Sequence, residues 1–350
     1  MRARATLLCL TTALASAAGA SCGNFELPSL VLDLRILGMI SEPPEVIVPL
    51  TPDSDLGDLP RVDVSVCALV SDPNADRRLS YRMTACWPTE SLRCDDPARA
   101  AFPLAGTAAE PWVSIDDPEQ ASGPDGGPVE VCGLLRANSV LPALLLDQIE
   151  VAGSLEAVAA EAAGAGGNID VQVELAVRGA DEDEELAQYG SKRARFGLPL
   201  PPERVANQNP GMDDLMATVE DAAAVSAPVA RCGDSSAPLE VRAGEVVEFE
   251  PVEAEGARED YLVPTFDGGA RMFTENLRYA WFATRGGWQR EVSGGPRDFA
   301  GNEPPLSSEW TAPANPDVVG DGLEVRIWVV QRDERGGQSW RETCVRVLPQ

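Results

Sequence analysis

Apolar side chains recur at every second position in several stretches of this sequence, and this alternation limits most strongly what the chain can fold into. The clearest stretch is "NIDVQVELAVRG", where polar side chains from Asp170 to Arg178 separate the apolar ones. Successive side chains of a β-strand point to opposite faces, so the pattern predicts an antiparallel strand with one buried and one solvated face. "SKRARFGLPL", which follows the acidic tip "GADEDEE", is predicted to return as its partner. The inward residues are predicted to be Ile169, Val171, Val173, Leu175 and Val177.

The same period appears nearer the N-terminus and again in the last third of the chain. "LVLDLRILGMI" and "RVDVSVCALV" predict two early strands, and "APLEVRAGEVVEFEP" predicts two strands around Ala243-Gly244. "LEVRIWVVQRDERGGQSWRETCVRV" predicts a hairpin that turns between Asp333 and Gly337. Short strands with glycine and proline turns between them are typical of a β-sandwich. The predicted inward residues are Leu30, Leu32, Leu34, Ile36, Ile40, Val62, Val64, Val66, Ala68, Val70, Val247, Phe249, Leu277, Tyr279, Trp281 and Ala283.

Two segments interrupt the strand pattern. "SVLPALLLDQIEV" and "SLEAVAAEAAG" predict two short helices that begin at Ser139 and Ser154, as an insertion near 139–164. Prolines crowd the segment 199–231, which also permits one short helix from Met212 onward. We therefore predict a first β-sandwich domain over 22–198, a proline-rich linker with a short helix over 199–231, and a second β-sandwich over 232–350.

Residues 1–21 have the layout of an export signal, with arginines before an uncharged apolar run and small residues at its end. The sequence Gly19-Ala20-Ser21-Cys22 is similar to a bacterial lipobox, although Gly19 stands where leucine is usual. This predicts lipidation of Cys22, and Gly23 after it favours sorting to the outer membrane. Cleavage before Ser21 by ordinary signal peptidase is the alternative.

Cysteine parity favours the lipidated form. Of eight cysteines, loss of Cys9 with the signal and lipidation of Cys22 leave an even set, which can close into disulfides in an exported chain. The spacing favours Cys86 with Cys94 in a local loop, Cys67 with Cys132 joining sheets of the first domain, and Cys232 with Cys344 closing the second. Six cysteines allow 15 pairings, and zinc binding is the alternative. The six are Cys67, Cys86, Cys94, Cys132, Cys232 and Cys344.

Charge and residue usage limit the function. The chain carries 56 acidic and 28 basic residues, a net charge of −28, which repels nucleic acid and anionic headgroups. It contains no histidine, so Ser-His-Asp and Cys-His nucleophile systems and most catalytic zinc sites are excluded. A pair of carboxylates could hydrolyse a glycoside, but the sequence does not indicate which two. We therefore predict that the protein is not an enzyme and has no cofactor beyond the lipid.

Two kinds of binding site are candidates. Asp53, Asp55 and Asp58 in "DSDLGD", and the acidic run 181–185, offer spaced oxygen ligands for Ca²⁺, with hydrated surface loops as the alternative. Trp288 and Trp328 are the tryptophans of the C-terminal region best placed for exposure as a glycan platform, with core packing as the alternative.

Several motifs resemble a known architecture. "LRYAWFAT", "EWTAP", "VRIWVVQRDERGGQSW" and "CVRV" resemble the order Y-x-W, W-x-x-P, V-x-V-x-V-x-D-x-x-G-G and V-x-V of PKD-like and other immunoglobulin-like domains of bacterial surface proteins. "DLRILGMISEPPEV" after "CG" is similar to the opening of predicted myxobacterial lipoproteins, which join such domains in tandem. The resemblance covers the C-terminal third and the segment after Cys22, and it implies location and architecture without catalytic residues.

The combined expectation is a mainly β protein with two immunoglobulin-like β-sandwich domains in tandem, the first with short helical insertions. We predict a non-catalytic cell-envelope lipoprotein held to the outer membrane through Cys22, facing the periplasm or the surface. Its role is expected to be structural or adhesive, with a protein or glycan partner. The alternative is a carbohydrate-binding surface protein that uses exposed tryptophans of the second domain.

Overall fold

The computed structural model describes residues 27–50, 54, 56, 59, 61–74, 76–115, 129–164, 167–220, 222–229, 232, 238–265 and 269–350. Within these ranges the chain is mainly β, as the alternation predicts. The sheets form two groups, which we name the first β unit (35–197) and the second β unit (212–348). None of the helices in these ranges is long and apolar enough to cross a membrane.

The first unit contains nine strands and two α-helices among the described residues. They are β1 (Arg35–Glu42), β2 (Glu45–Ile47), β3 (Asp63–Ser71), β4 (Leu79–Cys86), β5 (Ala101–Ala105), β6 (Val113–Ser114), β7 (Val129–Arg136), α1 (Ala137–Ala152), α2 (Leu155–Gly164), β8 (Asn168–Gly179) and β9 (Gln188–Gly197). One sheet has the order β1-β3-β7, and the other has the order β2-β9-β8-β4-β5 with β6 beside β4.

Apolar side chains of both sheets meet in one core. The alternating residues of β3 from Val64 to Val70 and those of β8 from Ile169 to Val177 are buried there, so these predictions are confirmed. The predicted partner of β8 is also confirmed, because β9 pairs with it antiparallel along its length. Each of these strands therefore gives one complete apolar face to a shared interior.

The predicted pattern of β1 is partly wrong. The strand begins at Arg35, and Leu32 is exposed before it. A register shift between Ile36 and Gly38 then changes which side chains face the core, so that Met39 enters it instead of Ile40. A β-bulge adds one residue to one strand and reverses the alternation beyond it, which a strict period of two does not anticipate.

The helical insertion near 139–164 is confirmed, although α1 begins at Ala137 rather than at Ser139. The Ser154 hydroxyl accepts a hydrogen bond from the Ala157 amide at 3.1 Å and caps α2 as predicted. Leu141 and Leu144 of α1 lie in the core of the unit. The helices therefore complete the core and are more than a surface elaboration.

The second unit contains twelve strands and one short helix among the described residues. They are β10 (Met212–Val219), β11 (Val225–Ser226), β12 (Leu239–Arg242), β13 (Val246–Glu253), β14 (Asp260–Pro264), β15 (Ala270–Thr274), β16 (Arg278–Ala283), β17 (Gly287–Trp288), β18 (Val292–Gly294), β19 (Ser308–Thr311), α3 (Pro316–Val319), β20 (Leu323–Arg332) and β21 (Gln338–Leu348). Two five-stranded sheets, β11-β10-β13-β19-β17 and β12-β21-β20-β16-β18, enclose a second core, and β14 pairs with β15 alone.

The helix predicted after Met212 is wrong. Residues 212–219 form β10, which pairs antiparallel with β13 and buries Leu215 and Ala217 in the second core. Leu215, Ala217 and Val219 fall at every second position, although Met216 between them is also apolar, so a strand signal was present and the nearby prolines obscured it. The segment between the units is therefore only 198–211, and much of the expected linker belongs to the second unit.

Three disulfides join the cysteine pairs that the spacing favours: Cys67–Cys132, Cys86–Cys94 and Cys232–Cys344. The expectation that Cys67 and Cys132 join two sheets is wrong. They lie opposite each other on the neighbouring strands β3 and β7 of one sheet. Cys232–Cys344 spans a sequence separation of 112 and fastens the chain before β12 to β21, the last strand of the unit.

The outer face of β8 is not solvated, contrary to the prediction for Gln172 and Glu174. Both side chains are buried, because the loop closed by Cys86–Cys94 lies over them. The Thr89 amide donates to Gln172 at 3.2 Å, and the Cys94 amide donates to Glu174 at 2.8 Å. Glu174 also binds Arg93 at 2.8 Å and Arg82 at 3.4 Å.

Candidate functional site at the junction of the two β units

The outer faces of β1 and β3 pack against the outer face of the β16-β20-β21 sheet. The centre of this contact is Trp328, whose side chain is fully buried between residues of both units. A Cβ atom built on Gly38 would lie only 3.2 Å from Val330, so glycine allows β1 to approach β20 closely. The apolar cluster contains Val31, Leu37, Leu69 and Trp328, with Phe282 and Trp340 packed beside it.

Beyond this apolar contact, the hairpin turn 333–337 reaches the first unit. Gly336 has a φ of 100°, which glycine adopts without strain. The Asp333 carboxylate accepts hydrogen bonds from the amides of Arg335 at 2.8 Å and Gly337 at 2.7 Å. It also accepts one from Asn207 of the connecting segment at 3.0 Å. The turn is therefore braced internally and from the connector.

Arg335, at the tip of this turn, joins three acidic side chains. It donates to Glu275 at 2.7 Å and to Glu259 at 2.6 Å in its own unit, and it lies 3.8 Å from Glu45 of the first unit. Burial raises the pKa of Glu275, and the hydrogen bond from Arg335 acts in the opposite direction. Glu45 is buried and also binds Arg204, so guanidinium and carboxylate groups alternate across the junction.

Lys192, the only lysine of the chain, lies on β9 directly under the turn. Its side chain is buried, and its ammonium group donates to the carbonyl oxygen of Gly336. Burial lowers the pKa of Lys192 to about 8, although the Asp333 carboxylate acts in the opposite direction and Arg332 and Arg195 act in the same direction. Arg195 on the same strand donates to the carbonyl oxygen of Arg335 at 2.9 Å.

The connecting segment completes the junction. The Asn209 side chain accepts from the Gln338 amide at 2.9 Å and donates to the Ser41 carbonyl oxygen at 2.9 Å, so it bridges the two units. The Met39 amide in turn donates to the Gln338 side chain at 3.2 Å. These bonds satisfy backbone groups at the facing ends of β1 and β21, which would otherwise be buried without partners.

The segment before β1 lies on the second unit before the chain enters the first. The Val31 amide donates to the Ala283 carbonyl oxygen, and the Ala283 amide donates to the Ser29 carbonyl oxygen, each at 2.9 Å. Leu30 forms a parallel bridge with Ala283. The Ser29 hydroxyl donates to Glu291 at 3.0 Å. We name residues 29–31 the N-terminal strap.

Trp288 and Trp328 are not exposed, so their prediction as a glycan platform is wrong. Trp288 packs in the second core, with its ring centroid 5.1 Å from that of Trp281 and 5.9 Å from that of Phe249. Trp328 does point away from its own core, as its position between Ile327 and Val329 implies, but the first unit covers it. The sequence of one unit does not show what the other unit covers.

The other predicted sites fall in different places. Cys22 and the calcium candidates Asp53, Asp55 and Asp58 lie outside the described residues. In the acidic run 181–185, Glu184 forms an ion pair with Arg82 at 2.8 Å, and Glu182 lies 3.7 Å from Arg77.

Two groups of side chains in the described part of the chain could surround a metal ion by distance. They are Cys67, Glu130 and Cys132, and Cys232, Glu324 and Cys344. Each group contains a disulfide, so its sulfur atoms are not the free thiolates that zinc requires.

The sequence did not predict the residues of the junction, although two of its features lie there. Lys192 is a solitary lysine in an arginine-rich chain, and the turn "DERGG" was recognised only as a turn. Neither feature indicates a partner across the molecule. The chemistry assembled here is ion pairing and hydrogen bonding that holds two β units in one arrangement.

No protein-family model and no curated protein matches the sequence. A transglutaminase from red sea bream aligns with 90% of this chain and 31% of its own, at 7% identity and a TM-score of 0.22. A protein of unknown function from Porphyromonas gingivalis W83 aligns with 89% of this chain and 99% of its own, at 13% identity and a TM-score of 0.19. Latent PorU from Porphyromonas gingivalis aligns with 91% of this chain and 24% of its own, at 7% identity and a TM-score of 0.19. At these TM-scores the similarities carry no functional argument.

Proposed function

We propose that this chain is a non-catalytic lipoprotein of the cell envelope, anchored to the outer membrane through Cys22. Its two β units are immunoglobulin-like sandwiches in tandem that act together as a structural or adhesive module. The observation that carries the proposal is the junction, in which Trp328 of the second unit is buried against the first and the partly buried Arg335 lies 3.8 Å from Glu45. A module that transmits force or presents a surface needs its parts held in one arrangement.

The sheet arrangement supports the sandwich assignment. In each unit two sheets enclose a single apolar core, and strands close in sequence pair antiparallel as hairpins. In the second unit Trp281 lies in the core on β16, and the closing disulfide Cys232–Cys344 fastens the last strand. These features agree with the sequence resemblance to PKD-like and immunoglobulin-like domains.

The three disulfides support export. Disulfides form and persist in oxidising compartments such as the bacterial periplasm and the cell surface, and they are rare in the cytosol. An even set of six paired cysteines also leaves Cys22 as the one mature cysteine available for lipid. The parity argument from the sequence and the pairing therefore point the same way.

The N-terminal strap supports the tether. Cys22 precedes Ser29 by seven residues in the sequence, so an anchor at Cys22 would pull first on the strap. The strap is bonded to Ala283 of the second unit and continues into β1 of the first. Tension on the anchor would therefore act on both units at once.

The test is the chemistry of the mature N-terminus. Mass spectrometry of the membrane-extracted protein is expected to show Cys22 as residue one, carrying a diacylglyceryl group, and cells fed an alkyne fatty acid should label it. Cys22→Ser is the matched control and should lose both the label and the membrane association. In a deletion strain, the wild-type protein is expected to correct the envelope or adhesion defect. Cys22→Ser should fail to correct it. An unmodified chain beginning at Ser21 would refute the anchor.

A further inference from the structure

A cleft of about 320 Å³ opens beside the junction, between the β14–β15 hairpin and the first unit. One part of the lining is apolar and open to solvent, because Val205 is 68% exposed and Met272 is 62% exposed. The other wall consists of planar polar side chains: Asn168, Arg195, Arg204 and Arg335. Its volume is at the lower end of the range for small-ligand sites, which are common between domains.

The polar wall is held in position by the junction. Arg195 is fixed by Asp170 at 3.1 Å and Arg204 by Glu45. Arg335 is fixed by its two glutamates and lies with its guanidinium 5.0 Å from the ring centroid of Tyr261. The Asn168 Oδ1 accepts a hydrogen bond from Arg204. Donors that are already oriented lose little conformational entropy when a ligand binds.

The charge of the lining indicates what the ligand is. Three arginines line the cleft, and so do three acidic residues, Glu203, Asp260 and Glu334, so the lining is formally neutral in a chain of net charge −28. An anionic ligand would find no excess of positive charge there, because the three arginines are already paired with Asp170, Glu45, Glu259 and Glu275. An uncharged molecule with one apolar face and many hydroxyl groups fits both walls, since guanidinium, carboxylate and amide groups bond hydroxyls in pairs.

We propose that this cleft binds a neutral oligosaccharide, with one or two sugar rings lying between the Met272 wall and the arginine wall. The site is distinct from the tryptophans first considered, because both of those are buried. The cleft lies at the end of the second unit away from the strap. Ala283, which binds the strap, lies at one end of the β16–β20 pairing. The other end is Arg278, which pairs with Arg332 next to the turn 333–337. The cleft and the strap, which leads toward the proposed anchor, therefore lie at opposite ends of β16.

The experiment uses the full chain with Cys22→Ser, which lacks the thiol that would carry the proposed lipid. It is applied to an array of neutral and acidic oligosaccharides and of extended peptides, and the best neutral di- or trisaccharide is then titrated by calorimetry. Met272→Ala and Glu203→Ala remove side chains from the cleft surface, and each is expected to weaken binding by about tenfold. Leu186→Ala and Glu185→Ala are matched controls, since these side chains are exposed on the first unit away from the cleft, and they should leave the affinity unchanged.

Three outcomes would overturn the proposal: no neutral saccharide bound by the folded chain, binding that is indifferent to both cleft variants, or preference for acidic saccharides or for peptides added to the β15 edge. Thermal unfolding of each variant shows that a loss of affinity is not a loss of fold. Because the titration uses unlipidated protein, its result is independent of the anchor. Mass spectrometry of the recovered saccharide would show cleavage if the protein were instead a hydrolase.

Discussion

The central strands β8 and β20 are both buried on two faces, but a local loop covers the outer face of β8, whereas the other β unit covers the outer face of β20. The outer face of β8 is polar, and a local loop closed by Cys86–Cys94 covers it with hydrogen bonds to Gln172 and Glu174. The outer face of β20 is apolar around Trp328, and the whole first unit covers it. A strand in a sandwich need not be half-solvated, and its cover decides whether its outer side chains must be polar or apolar.

The difference has an energetic consequence. An apolar cover is stabilised by area removed from water and tolerates small changes of geometry. A polar cover must satisfy each buried group, because a buried donor or acceptor that loses its partner costs more than the bond contributed. Mutations on the two faces should therefore fail in different ways.

The largest effect is expected for Trp328→Ala. Truncating a buried tryptophan removes transfer free energy and leaves a cavity, so urea unfolding should show the free energy of unfolding lowered by about 3–5 kcal/mol. Hydrogen exchange should accelerate at the backbone amides around Leu37 and Leu69, because these residues pack against Trp328 from the first unit.

Trp328→Phe is the matched control. It keeps most of the apolar area and removes an indole N–H that has no acceptor among the described residues, so the loss should stay below about 1.5 kcal/mol. If Trp328→Ala were as mild as Trp328→Phe, the apolar contact would not hold the units together.

The parts of the fold that the sequence predicts are those where one strand obeys one rule. The alternation in β3, β8, β13 and β16 placed the core residues correctly, and the caps and glycines placed α2 and the turn after Arg332. The failures have local causes. A bulge reversed the alternation after Ile36, and prolines obscured β10.

The candidate site could not be predicted because it depends on contacts between distant segments. Lys192 and Gly336 are 144 residues apart, and Arg335 lies near Glu45 across the junction. Nothing in the period of a strand specifies which surface of another unit will face it. Gln172 and Glu174 were assigned to solvent for the same reason, since polarity was taken as exposure and their cover lay in the next loop.

The next effect concerns the polar part of the junction and pH. Lys192 has a pKa of about 8 in the folded chain and an ordinary value of 10.5. The unfolded chain therefore binds more protons than the folded chain between these values, and the contribution of Lys192 to the free energy of unfolding rises with pH across that window. The rise should total about 3 kcal/mol. The cost of burying the charge is fully present below pH 8, where Lys192 is protonated in both states, and it disappears above pH 10.5, where Lys192 is neutral in both.

The measurement is urea unfolding from pH 7 to pH 10 of the wild type and of Lys192→Met, with the disulfides kept oxidised. Other groups titrate in both proteins, so the difference between the two curves isolates Lys192. The wild type is expected to gain stability relative to the variant as the pH rises. Parallel curves would show that the ammonium group is solvated rather than buried under the turn.

The smallest effect should be at the polar cover of β8. Glu174→Gln keeps the shape of the side chain but removes the charge that binds Arg93 and Arg82 and lowers its strength as an acceptor for the Cys94 amide. A hydrogen bond to a charged group contributes about 1.5–3 kcal/mol. Both arginines are partly exposed, so water can replace some of the lost contact. We therefore expect the free energy of unfolding to fall by about 2 kcal/mol.

Glu184→Gln separates burial from ion pairing, since Glu184 binds the same Arg82 at 2.8 Å from an exposed position. An exposed pair contributes about 0–1 kcal/mol, so this variant should be nearly neutral and its effect should fade in salt, whereas the effect of Glu174→Gln should persist. Hydrogen exchange at the Cys94 amide is the local readout, because only the buried carboxylate holds it. Equal losses for the two variants would mean that β8 is covered by charge alone, and the contrast with the apolar cover of β20 would then be one of distance from solvent rather than of chemistry.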